Sequence, residues 1–369
     1  MIYLDHHSTT PVDERVLAAM LPYFSEKFGN AASRQHAYGW AAERAVAAAR
    51  AQVAALCGAP ADEMIFTSGA TESCNLALKG LWREGAHYVS VETEHSAVLD
   101  TLRALAAEVT LLRVDDNGLV TAKQVAAAMR PHTVCVAVMA ANNEIGVLQP
   151  VAEIAALCRE RGVPMFCDAT QAAGVAPVAG DFVAFSAHKI YGPKGVGALR
   201  VSRHIALRPQ LHGGGHENGM RSGTLNVPGI VGFAAAASLL PNLAELARIR
   251  ALRDRLQNAL RMPGVRINGG GAPRLPNNLS LSIAGVDSNT LILALPELAV
   301  SSGSACASAQ PGLSHVLRAL GRPLNQGSLR FGLGRQNTEA EIDQAAALVR
   351  TAIEKLRAEN PLYELHGKV

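Results

Sequence analysis

DFVAFSAHKIYGPKG, residues 181–195, decides how the rest of this sequence is read. FVAFS is an apolar run of strand length, and it passes directly into His188, Lys189 and a turn marked by Gly192, Pro193 and Gly195. A strand buried on both faces belongs in a parallel sheet, where ligands bind beyond the carboxyl ends of the strands. A lysine held against such a strand loses hydration, which lowers its pKa and suits it to Schiff-base chemistry. A lone lysine is more often a solvated surface residue, so the reading depends on what the neighbouring strands end in.

Working outward, EMIFTS, HYVSVET, TVCVAVMA, VPMFCDA and GVGALRV read as further buried strands. Helical patterns separate them: AAERAVAAARAQVAALC closed by Gly58, TAKQVAAAMR stopped by Pro131, and VAEIAALCRER closed by Gly162. The alternation predicts an α/β fold, a mostly parallel sheet with helices on both faces, over residues 13–250. Beyond it come the helix ARIRALRDRLQNAL, Gly- and Pro-rich stretches, LSLSI, SLRFGLG and a last helix opened by a capping box of Thr338 and Glu341. These predict a smaller α+β domain built from residues 251–369 together with 1–12.

Across 369 residues the net charge is only +3 and the basic residues are dispersed, which argues against a nucleic-acid stripe or a membrane patch. The longest apolar run, IVGFAAAASLL (230–240), falls short of the ~20 residues of a bilayer span. MIYLDHHSTT lacks the charged and apolar regions of a signal peptide, so the expected location is cytoplasmic. Five of the six cysteines (57, 74, 135, 158, 167) read as free thiols inside apolar segments, with no C-x-x-C pair. Cys306 differs: SSGSACASA (301–309) surrounds it with small residues and no strand or helix period.

The loops after the strands carry the chemistry. SGATES follows EMIFT with small residues and a helix start at Thr71, whose backbone N–H groups suit a phosphate, although the same residues also serve as a plain helix cap. Asp168 ends VPMFCD, where a carboxylate is costly unless it meets a cation or hydrogen-bond donors; capping the next turn would serve as well. Together a phosphate cradle, an acid and a lysine on strand ends of one sheet match the needs of pyridoxal 5'-phosphate. The lysine carries the cofactor, the acid keeps its pyridine nitrogen protonated, and the cradle holds its phosphate.

FTSGATES, TEHSAVLD, NNEIG, DATQ, SAHKIYGPKG, HGGGHE, RSGT, SSGSAC and RFGLGR then occur in order between YLD (3–5) and PLYEL (361–365). With them the sequence resembles the cysteine desulfurases, pyridoxal-phosphate enzymes of the class V, fold-type I aminotransferase superfamily. The resemblance implies a homodimer that converts L-cysteine to L-alanine and passes the sulfur to an acceptor protein, a scaffold or sulfurtransferase, for iron-sulfur clusters, thiolated tRNA or cofactors. It implies Lys189 as the Schiff-base lysine, Asp168 as partner of the pyridine nitrogen, and His95 as the ring stacked on the cofactor, with a proton-transfer role. Asn143 and Gln171 would meet the phenolic oxygen and the substrate side of the ring. Ala70, Thr71, Ser186 and His188 would hold the phosphate, with Thr224 reaching it from the other subunit. Arg335 would grip the substrate carboxylate, and Cys306 would take the sulfur as a persulfide.

Several positions depart from the family pattern: His6 and His7 replace small or amide residues, Ser96 a lysine, Cys74 an asparagine and Ala140 a histidine. HGGGH offers two histidines four apart, but three glycines make a helical zinc site improbable there, and no metal is expected. GPKGVG lacks the G-x-G-x-x-G spacing of a dinucleotide fold.

Overall fold

The computed structural model describes residues 1–303, 313–323, 325–360 and 363. The strands are β1 (Ile2–Tyr3), β2 (Met64–Thr67), β3 (His87–Val91), β4 (Glu108–Leu112), β5 (Thr133–Ala137), β6 (Met165–Asp168), β7 (Phe182–Ser186), β8 (Gly197–Val201), β9 (Val265–Ile267), β10 (Asn278–Ala284), β11 (Leu298–Ala299) and β12 (Gln326–Gly332).

Seven of them form one sheet in the order β2-β8-β7-β6-β5-β3-β4. From β7 to β4 every neighbour is parallel, whereas β8 runs antiparallel to both β7 and β2. Only residues 187–196 join β7 to β8, too few for a parallel crossover, so the chain returns as a hairpin. The expected α/β fold is therefore present, a mostly parallel sheet flanked by helices.

β3, β5 and β7 are buried at every residue because both faces are covered. Val183 and Phe185 of β7 point into the core shared with helices Ala37–Ala54 and Val227–Ser238. Phe182 and Ala184 point into the opposite core, shared with helices Ala70–Leu81 and Ser96–Ala104. That is the two-residue alternation of a strand between two layers. β4 escaped the sequence reading because it is an edge strand whose EVTLL keeps partial exposure and so shows no buried run. IVGFAAAASLL overlaps the buried helix Val227–Ser238. Among the described residues no single helix is long and apolar enough to cross a membrane.

A second sheet, β12-β10-β9, is antiparallel and packs with helices Leu243–Ala259 and Glu339–Ala358 around a separate core. Ile2 and Leu4 belong to this core, β1 pairs with β11, and Asp5 bridges to Gly332. The amino-terminal segment thus starts in the second core and then crosses to the carboxyl edge of the large sheet.

One buried ion pair fixes the loop that carries HGGGHE and RSGT. Glu217, with its side chain 1% exposed, accepts two bonds of 2.6 Å from the Arg50 guanidinium and one of 2.7 Å from the Phe66 backbone N–H. Arg50→Ala leaves that carboxylate buried with the Phe66 N–H but no cation, and unfolding free energy from urea denaturation is expected to fall by about 3 kcal/mol. Arg50→Lys recovers only part of the loss, because an ammonium cannot reproduce the two-pronged contact.

Candidate active site

The register of the large sheet gathers the strand-end residues. Asp168 ends β6 and pairs with Ala184; Ser186 ends β7 and pairs with Gly197, which pairs on its other side with Thr67 at the end of β2. Gly197 has to be glycine: a Cβ there would lie 2.5 Å from the Phe185 carbonyl oxygen and 2.6 Å from Gly69 Cα. That close approach lays the Ser68–Thr71 turn over Ser186, whose Oγ would sit 3.8 Å from a Cβ on Gly69. Helix Ala70–Leu81 starts here with Gly69 as N-cap and no capping side chain, so the N–H groups of Ala70 and Thr71 point to an acceptor from outside the helix. Asp168 is 7% exposed; its Oδ1 accepts from the Thr170 N–H at 2.9 Å, and no ion pair to it occurs among the described residues.

Lys189 follows β7 through the short turn Ala187–Lys189. Its Nζ donates to the carbonyl oxygens of His7 (2.5 Å) and Ser8 (2.7 Å). The same amino-terminal segment holds the rest of the turn. Thr10 donates to the His188 carbonyl through N–H (3.0 Å) and Oγ1 (2.9 Å), and its Oγ1 accepts from the Tyr191 N–H at 2.8 Å. His188 Nδ1 lies 3.1 Å from Thr9 Oγ1. Burial, followed by the charges of Lys189 and Lys194, pulls the His188 imidazole down to about 4, so it is neutral at physiological pH. Gln171 donates from Nε2 to the His7 carbonyl and meets His7 Nδ1 with Oε1, both at 2.9 Å.

His95 caps helix Ser96–Ala104, its Nδ1 accepting from the Ala97 N–H at 3.1 Å; a neutral ring therefore carries its proton on Nε2. The preceding Glu94 is fully buried with Oε1 accepting from the Met139 N–H, and burial pushes its carboxyl well up. Asn142 shapes the turn beyond β5 by accepting from the N–H groups of Glu144 and Ile145, which fixes the backbone of Asn143. Thr224 is exposed, three residues after Arg221, whose guanidinium pairs with Glu72 of the cradle helix at 2.8 Å. Cys306 lies outside the described residues.

Two arginines from LRFGLGR stand in different surroundings. Arg335 bonds Asp13 Oδ2 (3.0 Å) and the Leu239 carbonyl (2.8 Å), has Glu245 at 3.5 Å, and stacks 4.0 Å over the Tyr191 ring. Two resident carboxylates thus already face the arginine expected to grip the substrate. Arg330, which the sequence reading passed over, is 2% exposed on β12. Its Nη1 donates to the carbonyls of Asn143 (2.9 Å) and Gly303 (3.2 Å), its Nη2 to Asp5 Oδ1 and Ser8 Oγ (both 2.8 Å), and its buried Nε has no hydrogen-bond partner among the described residues. The signal was available: a charge in the middle of an otherwise buried strand needs a reason.

These features fit pyridoxal phosphate: a cradle that only glycine permits, a buried acid short of a cation, and a lysine resting on backbone carbonyls. The family description aminotransferase class-V matches residues 2–345. Cysteine desulfurase IscS of Anaeromyxobacter sp. (strain Fw109-5) is 51% identical, over 99% of this chain and 95% of the relative. A solved structure described as a NifS-like protein is 35% identical with a TM-score of 0.86, covering 96% of this chain and 99% of its own. Another, described as SspA in complex with cysteine, is 32% identical with a TM-score of 0.82, covering 92% and 100%. The chain belongs to the class-V aminotransferases, a pyridoxal-phosphate-dependent family, and within it to the cysteine desulfurases.

Proposed function

We propose that this chain takes the sulfur of L-cysteine onto Cys306, releases L-alanine, and hands the sulfur to an acceptor protein. The observation that carries this is the gathering of Lys189, Asp168, Gln171 and the Ala70–Thr71 helix start at one edge of one sheet. Pyridoxal phosphate, when bound, supplies an electron-withdrawing ring that spreads the charge left by the departing α-proton. Asp168 would meet the ring nitrogen, Gln171 would donate to the phenolic oxygen, and Ala70, Thr71, Ser186 and His188 would hold the phosphate. His95 would cover the ring and carry protons on Nε2, and Asn143 would lie on the substrate side. Lys189 takes the substrate α-proton on Nζ. The Cys306 thiolate attacks the substrate sulfur, a sulfur–sulfur bond forms, and the carbon–sulfur bond breaks with its electron pair on carbon; protonation there, and return of the α-proton from Lys189, give alanine. Arg330 is the better placed cation for the substrate carboxylate: it touches Asn143 and Gly303 and faces one carboxylate, Asp5, whereas Arg335 faces two, Asp13 and Glu245.

A homodimer is part of this reading. Leu17, Leu21, Phe24 (62% exposed), Phe28 (63%), Tyr38 and Trp40 leave a dense set of large apolar side chains on the surface within one short stretch. Thr224, exposed in one subunit, then reaches the partner's phosphate site. Cys57, Cys74, Cys135, Cys158 and Cys167 are all unpaired, which suits the reducing cytoplasm.

Purified protein loaded with pyridoxal phosphate is expected to release alanine and sulfide in equal amounts from L-cysteine and a reducing thiol. Lys189→Ala abolishes both; Cys306→Ala still binds L-cysteine, seen as a change in cofactor absorbance, but releases neither. Arg330→Gln raises KM for L-cysteine about tenfold to 100-fold, the loss expected of a charge-assisted hydrogen bond, whereas Arg335→Gln changes KM by less than about threefold. Phe28→Asp shifts the sedimenting species from dimer to monomer and weakens cofactor retention.

A further inference from the structure

His7 stands where the family pattern has a small or amide residue, and the structure gives its ring a defined contact. Gln171 fixes which atoms meet. Its Nε2 donates to the His7 backbone carbonyl, which can only accept, so Oε1 is the atom facing the imidazole and His7 Nδ1 must be the donor. The ring is 2% exposed and packs against the bare backbone of Gly332, where a Cβ would lie 2.8 Å from His7 Cδ2. Burial, then the charge of Arg330, holds the imidazole near 3; Lys189 adds to the depression, while Asp5 and the Gln171 bond oppose it. The ring therefore carries one proton at physiological pH, and that proton is on Nδ1.

We propose that His7 is a positioning residue of this enzyme: its Nδ1–H locks and polarises the Gln171 amide so that the second Nε2 hydrogen is presented to the phenolic oxygen of the cofactor. The inference rests on the reading of Gln171 given above. A donor at Oε1 makes the amide N–H a stronger donor in turn, because hydrogen bonds in a chain polarise one another. A stronger donor favours the more negative phenolate, the one present when the lysine-bound cofactor has lost its imine proton, and so lowers the pH at which that proton is lost. A small residue at position 7 leaves Gln171 with the backbone carbonyl alone.

The test is a pH titration of the visible absorbance of the cofactor-loaded protein, without substrate. His7→Ala is expected to raise the midpoint by about half a unit to one unit, equivalent to ~0.7–1.4 kcal/mol at ~1.36 kcal/mol per unit. His7→Asn, whose Nδ2 occupies nearly the place of the imidazole Nδ1, restores the original midpoint. His7→Leu, which fills the volume without a donor, behaves as His7→Ala and serves if the smaller residue destabilises the fold. A midpoint unchanged in both donorless variants, with Gln171→Ala shifting it, overturns the role of His7 alone. A midpoint that Gln171→Ala also leaves in place overturns the reading of Gln171 and the inference with it. Equal shifts in His7→Asn and His7→Ala would mean that packing, not donation, sets the midpoint, and would also overturn it.

Discussion

The site depends on a buried arginine. Arg330 sits inside the second core's sheet, and a guanidinium there is tolerable because Asp5 neutralises it and Asp5, Ser8, Asn143 and Gly303 together take up its Nη1 and Nη2 donors. The requirement runs both ways, since satisfying the cation fixes the segment from Asp5 to Thr10. The carbonyls of His7 and Ser8 then meet Lys189, and Thr10 clasps the His188 carbonyl and the Tyr191 N–H. One ion pair on the small sheet thereby decides where the lysine of the large sheet rests.

The turn after Lys189 stores strain that the same contacts maintain. Tyr191 has φ of 68°, a left-handed conformation unusual for a residue with a side chain. Its N–H is held by Thr10, its hydroxyl accepts from the Arg335 N–H at 2.9 Å, and its ring carries the Arg335 guanidinium. Asp13, whose carboxyl the Arg15 hydrogen bond drives well below the usual range, stays ionised opposite Arg335. Arg335 is thus built into the support of the lysine turn, which gives its place in RFGLGR a structural purpose.

What was legible in the sequence was local. Asp168, Ser186 and Lys189 follow directly from apolar runs that end in a polar residue, and a strand end is also where an open sheet places its ligands. The helices between them announce themselves by period and by closing glycines. Contacts across the fold were not legible. Arg330 meets Asp5 from 325 positions away, and nothing in either neighbourhood names the other. The lysine's partners are backbone carbonyls, which every residue possesses, so no residue type could mark them. Arg335 looked available only because Asp13 and Glu245, its neutralising partners, are remote in sequence.

The antiparallel β8 explains how the cradle arrives at the same edge as the acid and the lysine. β2 is the first strand of the large sheet along the chain but pairs with its last, β8. Two reversals, β7 to β8 and β8 to β2, restore direction, so β2 runs parallel with β7 and its carboxyl end reaches the edge where Ser186 stands. Between them lies the start of β8, where any side chain would strike the incoming turn. Had β8 run parallel to both neighbours, its own carboxyl end would occupy that place and carry a loop into it. A short hairpin with a bare glycine at its start therefore leaves room between strands that are far apart in sequence, and the helix that follows β2 opens onto that space with no capping side chain.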